Sequence, residues 1–123
     1  MPAALIFLIP AIALHADTRQ SLPGNINGRL SSWIIANPLI QVGYPERART
    51  MLPLVRQGLR YAARSGALAI QTGGIRSQVA RNAWERLATD DARACAKAAG
   101  FVGRWFGRSG DPAAIYALWG VRP

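Results

Sequence analysis

Few side chains in this sequence could act as acids, bases, nucleophiles or metal ligands. Its 123 residues include one histidine, one cysteine and six acidic residues, which are His15, Cys95, Asp17, Glu46, Glu85, Asp90, Asp91 and Asp111. One His and one Cys exclude the usual His/Cys spacings of a zinc site. Asp90 and Asp91 are neighbours, so on a helix they point about 100° apart and make a poor carboxylate pair. The sequence therefore predicts no metal and no cofactor.

Nucleophilic catalysis also lacks its usual residue sets. A Ser/His/Asp triad could be assembled only around His15, and no Gly-x-Ser-x-Gly turn is present. His15 ends an apolar run, where a packed or capping histidine is commoner than a catalyst. Cys95 lies among alanines and is interpreted as a small core residue. We predict that the chain is not an enzyme and takes no small-molecule substrate. The alternative at this point is a small enzyme with an unrecognised fold, which ranks third, after the two binding functions described below.

The charge balance points to an anionic partner. Fifteen basic residues against six acidic ones give a net charge of +9, and nucleic acid, anionic lipid or an acidic protein could neutralise it. Fourteen of the fifteen are Arg and one is Lys97, a preference that a GC-rich genome would produce. Codon bias does not explain the shortage of acids, so we interpret the charge as one used in binding.

Five arginines are the candidate binding residues. Arg56, Arg60 and Arg64 recur every four residues on one face of a predicted helix. A tight hairpin containing Arg76 and Arg81 is predicted to follow immediately, which is the order of a recognition helix and wing in winged-helix proteins. We predict that these five bind nucleic acid or an acidic partner; the alternative is a solvated face.

The elements that would position these residues are mostly helical. The predicted fold class is mainly α. Residues 1–123 are expected to form one compact helical domain of five to six helices with one small β-hairpin. A winged-helix-like arrangement is one alternative for this domain. Asp17 or Thr18 is expected to cap a short turn, and Pro53 to kink or split the longest helix. The predicted helices are Ala3–Ala13, Asn25–Asn37, Pro45–Ser65 ending at Gly66, Ala83–Leu87, Asp90–Phe106 capped by Thr89, and Pro112–Leu118 capped by Asp111, with hairpin arms Ala67–Gln71 and Ile75–Val79.

Both ends of the chain are strongly apolar. The first run, Ala3 to Leu14, is shorter than the ~20 residues that cross a bilayer, and no Lys or Arg precedes Arg19 as a signal peptide would require. We therefore expect a buried helix in a cytoplasmic protein that does not contact a membrane. Near the other end, Trp105, Tyr116 and Trp119 are more aromatic surface than one small core is expected to bury. These three residues are predicted to form a partner interface. The alternative is that they are buried in the internal core.

Several motifs resemble one known family. They are Phe101–Phe106 (FVGRWF), Gly110–Ala113 (GDPA), Ile115–Pro123 (IYALWGVRP), Phe7–Pro10 (FLIP), His15, Thr18–Arg19 and Leu22–Pro23. Together they resemble the middle component of three-component ABC systems. The resemblance covers most of the chain and is weakest from Gln71 to Leu87. Relatives usually carry a further segment before the apolar run, whereas here Met1 and Pro2 lead almost directly into it.

The resemblance implies an adaptor. Proteins of this kind are similar to accessory subunits encoded with an ABC-type ATPase of the chromosome-maintenance and repair class and with an effector, in sets that resemble bacterial antiphage or conflict systems. The implied role is to connect nucleic-acid sensing by the ATPase to the effector, and the family has no catalytic residues to carry over. The alternative hypothesis is a winged-helix transcription regulator that binds DNA by itself.

Overall fold

The computed structural model describes residues 3–72, 74–80 and 82–121. Six α-helices and one antiparallel hairpin account for most of them, which confirms a mainly α fold with one small β element. The helices are α1 (Ile9–Ala13), α2 (Ala16–Gln20), α3 (Leu30–Ala36), α4 (Tyr44–Arg64), α5 (Asp90–Arg108) and α6 (Pro112–Leu118). The strands are β1 (Leu68–Gln71) and β2 (Gly74–Ser77), and three short 3₁₀ helices span Ala3–Phe7, Pro38–Gln41 and Ala83–Arg86.

The apolar N-terminal run is buried as predicted. The 3₁₀ helix Ala3–Phe7 passes through Leu8, which keeps helical backbone angles, into α1. A helix that is apolar on all sides must be covered, and α1 packs against both α4 and α5. Leu5, Leu8 and Ile12 are therefore almost wholly inaccessible to solvent.

The cap of α2 differs from the prediction. Neither Asp17 nor Thr18 caps this helix, because both lie inside it. The chain is extended at His15, whose Nδ1 accepts a hydrogen bond from the backbone N–H of Thr18 at 3.4 Å and lies 2.7 Å from the Thr18 hydroxyl. His15 is thus the N-cap, and the only histidine of the sequence has a structural role.

The third helix begins five residues later than predicted. The Asn25 side chain accepts a hydrogen bond from the backbone N–H of Asn27 at 3.0 Å, and this local turn competes with helix formation. The carbonyl of Gly28 accepts a hydrogen bond from Trp105 Nε1 at 2.9 Å. Because these groups are engaged elsewhere, the helix starts only at Leu30.

The long helix α4 is not split at Pro53. It runs unbroken from Tyr44 to Arg64, since proline removes one donor from a ladder that the neighbouring residues maintain. Its end matches the prediction, because Gly66 follows with φ +78° in the left-handed region. The hairpin comes next, with Ile70 opposite Ile75 and shorter arms than predicted; Gly73 of the predicted turn lies outside the described residues.

The caps of the last two helices were predicted correctly. Thr89 Oγ1 accepts a hydrogen bond from the Ala92 N–H at 3.1 Å, and Asp111 Oδ1 accepts one from the Ala113 N–H at 3.2 Å. Side-chain oxygens at these positions satisfy amide donors that the first helical turn leaves free. Helix α5 extends two residues beyond Phe106, and the predicted helix at 83–87 is a single 3₁₀ turn.

The buried core draws on the two ends of the chain. Its members lie between residues 5 and 48 and between 102 and 121, and aromatic rings dominate its centre. The Trp119 ring lies 4.6 Å from that of Tyr44 and 6.2 Å from that of Trp33, measured between centroids. Between these two stretches the packing is thin, because none of the described residues from 49 to 97 is buried. We call residues 49–97 the middle segment.

Tyr44 is expected to make folding sensitive to alkaline pH. Its hydroxyl donates to the Leu8 carbonyl at 2.8 Å, and burial raises the pKa of Tyr44 above its usual value near 10. The neutral phenol therefore contributes stability that is complete below about pH 10 and is lost as the pH rises further. We expect Tyr44→Phe to be less stable by about 1–3 kcal/mol at pH 7, with a gap to the wild type that narrows above pH 10.

Urea unfolding of both proteins from pH 7 to pH 11.5 measures this gap. Tyr61→Phe, at a side chain that is 75 % exposed, controls for the loss of one ionisable phenol. A gap between the wild type and Tyr44→Phe that stays constant up to pH 11.5 would contradict the assignment.

Candidate partner-binding surface

Four arginines form one stripe on α4. Arg56, Arg60 and Arg64 are exposed and recur every four residues, as predicted. Arg49, seven residues before Arg56, is exposed on the same side of the helix. Arg49 is not among the binding residues predicted from the sequence, although its i, i+7 spacing to Arg56 is a usable signal. We call Arg49, Arg56, Arg60 and Arg64 the arginine stripe.

No arginine of the stripe makes an ion pair with a described residue, although Glu46 stands one helical turn before Arg49. No acidic residue occurs from position 47 to position 84. The ion pairs found among the described residues, Arg19–Asp91 and Arg93–Asp90, lie outside the stripe. Like charges four residues apart on a helix repel each other. An anionic partner would relieve this repulsion, and the stripe is therefore the strongest electrostatic feature of α4.

One of the other two predicted binding arginines lies in the hairpin. Arg76 is exposed on β2, opposite Ala69 of β1, and β1 packs against α4. Arg81 lies outside the described residues. The structure thus brings Arg76 onto an element that adjoins the helix of the stripe.

The three predicted interface aromatics lie in the core. Trp105, Tyr116 and Trp119 are 2 %, 8 % and 1 % exposed. The Trp105 indole donates to a loop carbonyl, and the Tyr116 hydroxyl donates to the Ala4 carbonyl at 2.5 Å. The motif-rich tail therefore folds inward over the N-terminal run and leaves these rings almost no surface. Trp105 and Trp119 are therefore not part of the proposed interface.

Other apolar side chains are exposed instead. Leu54 and Tyr61, seven residues apart on α4, are exposed on the flank away from the arginine stripe. A second group at the corner after α3 comprises Ile35, Leu39 and Val42, of which Leu39 is 82 % exposed. Helix α4 thus has an apolar flank and a basic flank on either side of its half-buried face. Both apolar groups were missed because the sequence does not say which side of an element the core covers.

Several of the residues able to do chemistry make structural contacts. Besides the capping His15, Cys95 Sγ accepts a hydrogen bond from Arg19 Nη1 at 3.3 Å, and Arg19 also pairs with Asp91 at 3.4 Å. Asp90 pairs with Arg93 on the same helix. Across residues 3–72, 74–80 and 82–121, no group of three or more His, Cys, Asp or Glu side chains could hold a metal ion. None of the helices in those ranges is long and apolar enough to span a membrane.

The comparison with protein families covers the entire chain. The family model of the ABC-three component (ABC-3C) system Middle Component 3 matches residues 1–123. The chain belongs to this family. Membership confirms the resemblance found in the tail and N-terminal motifs, and the match also includes residues 71–87, where that resemblance is weakest.

Membership as an ABC-3C middle component places the chain in a system of several components. A surface for partners is therefore expected on it, and the arginine stripe and the apolar flank of α4 are two candidates. Neither the search of curated proteins nor the search of solved structures found a match. The winged-helix hypothesis consequently rests on the order of α4 and the hairpin alone.

Proposed function

We propose that this middle component is a non-catalytic adaptor that links the ABC-type ATPase of its system to the effector, in bacterial antiphage defence. The observation that carries the proposal is the division of the chain into a packed core and a middle segment in which none of the described residues is buried. Of the fifteen basic residues, nine fall in the middle segment, against three of the six acids. An excess of one sign of charge on an uncovered surface attracts a partner of the opposite charge.

An adaptor needs two surfaces, and α4 offers them on its two flanks. The arginine stripe suits an acidic protein surface or the phosphates of nucleic acid. The flank with Leu54 and Tyr61 suits an apolar protein surface, where aromatic side chains commonly contribute most of the binding energy. The free thiol of Cys95 fits a reducing compartment, so we place the complex in the cytoplasm.

Thin packing of the middle segment also fits an adaptor role. Segments with few buried apolar contacts open locally at low free-energy cost. A partner that binds only the folded form stabilises it by mass action. The middle segment would therefore become more ordered, and its amides better protected from hydrogen exchange, when its partners bind. Assembly of the complex would in this way stabilise the folded form of the middle component.

The proposal predicts a bridged complex. The chain should be co-expressed with the ATPase and effector encoded beside it, with a tag on the ATPase. We expect all three proteins to elute together from size-exclusion chromatography, and the effector to be lost when the middle component is omitted. Equal recovery of the effector without the middle component would refute the adaptor role.

The second candidate function is a winged-helix transcription regulator. It is favoured by one observation: the hairpin with Arg76 follows directly after the helix that bears the arginine stripe. Such a regulator should dimerise and bind a palindromic site in its own promoter with a defined half-site spacing. Footprinting of the purified chain on that promoter separates the two functions, because the adaptor needs no specific DNA site.

A further inference from the structure

An apolar groove opens where the two ends of the chain meet α4. Its volume is about 310 Å³, at the lower end of the range of ligand pockets. Phe7, Leu52, Tyr116 and Val121 contribute apolar surface to its lining, together with alanines of the 3₁₀ helix and α4, and Arg49 and Arg56 also line it. Both arginines are exposed and make no ion pair with a described residue.

The spacing on α4 defines what this groove can recognise. Arg49, Leu52 and Arg56 stand at i, i+3 and i+7, which places them along one side of the helix. The Cα atoms of the two arginines are then about 10 Å apart along the axis, with an apolar residue between them. Guanidinium groups bind carboxylates through two parallel hydrogen bonds. The groove therefore offers two carboxylate-binding positions on either side of an apolar one.

We propose that this groove binds an amphipathic helical segment of a partner protein, with carboxylates two turns apart and an apolar side chain between them. The carboxylates pair with Arg49 and Arg56, and the apolar side chain packs against Leu52 and Phe7. The inference rests on the proposed function, because it assigns one of the adaptor's surfaces to one kind of partner segment.

Charge and surface chemistry select this occupant. A second copy of the chain carries the same net charge of +9, so the two copies would repel each other at a basic site. Nucleic acid would pair with the arginines but leave the apolar lining without a matching surface. An apolar segment with acidic residues satisfies both features, in the manner of a helix that binds in a hydrophobic groove.

Overlapping synthetic peptides that cover the ATPase and effector encoded beside the chain are the probes. They are titrated with the full chain by fluorescence polarisation. The test variant is Arg49→Glu/Arg56→Glu, and the matched control is Arg104→Glu/Arg108→Glu, which makes the same change in charge at exposed positions of α5, outside the arginine stripe. We expect peptides with acidic residues around an apolar residue to bind, and to bind about tenfold or more weakly to the test variant. The control should alter that affinity by less than about threefold, the screened effect of distant charges.

Leu52→Gln tests the apolar contact separately from charge. We expect it to weaken the same peptides by about tenfold while the helical circular dichroism is retained. If the double Glu variant loses helical signal, Arg49→Gln/Arg56→Gln replaces it and should still weaken binding. Equal losses in the test and control variants would overturn the proposal, because they would show unspecific attraction to the net positive charge of the protein.

Three further results would also overturn it. The first is that no peptide binds. The second is that a short DNA duplex binds in place of the peptides, and that its binding depends on Arg49 and Arg56. The third is self-association of the chain that the test variant abolishes. The outcomes for the adaptor role are distinguishable from these. If the bridged complex forms equally well with the test variant, the proposed role of the groove is refuted and the adaptor role stands. If peptides bind in the groove but the middle component does not bridge the ATPase and the effector, the adaptor role is refuted and the role of the groove stands.

Discussion

Replacing Trp119 with Ala should lower the free energy of unfolding by about 3–5 kcal/mol, the usual cost of removing a large aromatic side chain from a core. The side chain is 1 % exposed. Its ring packs near those of Trp33, Tyr44 and Phe106, with centroids 6.2, 4.6 and 6.5 Å away. Removing it leaves a cavity that these rigid neighbours cannot close by small shifts. Chemical denaturation followed by circular dichroism measures the loss.

Two matched variants make this result specific. Trp119→Phe keeps most of the ring volume and removes an indole N–H that has no acceptor among the described residues. It should therefore cost clearly less than the change to Ala. Trp84→Ala removes the same side chain from the 3₁₀ helix of the middle segment, outside the core cluster, and should cost less than about 1 kcal/mol.

The same variant separates a core role from an interface role. A core residue lowers stability but leaves the affinity of the folded protein for its partners intact. We expect Trp119→Ala, measured at a temperature where it is still folded, to bind the ATPase with unchanged affinity. A loss of affinity of about 2 kcal/mol or more with unaltered stability would instead restore the interface assigned to Trp119 from the sequence alone.

Features set by local sequence were predictable. Thr89 and Asp111 cap their helices because an Oγ or Oδ atom reaches amide groups two or three residues away. The end of α4 at Gly66 is equally local, since glycine takes the left-handed conformation with little strain. The arginine stripe follows from helical spacing, and the same periodicity extends it to Arg49. Such interactions span a few residues and can be inferred without knowing the tertiary structure.

Features that depend on distant residues were not predictable. The start of α3 depends on the carbonyl of Gly28, which bonds to Trp105 far along the chain. The burial of Trp119 depends on how the tail folds over the N-terminal run, so an amphipathic pattern does not distinguish a core residue from an interface residue. The groove is built from residues near position 7, on α4 and near the C-terminus, and no spacing in the sequence indicates it.

Changing Arg56, Arg60 and Arg64 together to Glu should abolish binding to a polyanionic partner while α4 stays helical. Each phosphate that the variant no longer neutralises should reduce the slope of log affinity against log salt for duplex DNA by about 0.9. The triple change lowers the net charge by six from its starting value of +9. Titration of a short duplex over a range of salt concentrations, and recovery of the chain with its tagged ATPase, measure the two kinds of binding.

A second triple variant, Arg29→Glu/Arg104→Glu/Arg108→Glu, makes the same change in net charge at exposed positions away from the arginine stripe. If the stripe is a binding surface, this control retains most of the affinity that the stripe variant loses, because interactions over a few ångströms depend on position and not on total charge. Equal losses would mean that the net charge acts only by long-range attraction. Unchanged DNA affinity and unchanged recovery with the ATPase in the stripe variant would make the stripe a solvated helix face, and the partners would then have to bind through the apolar flank of α4.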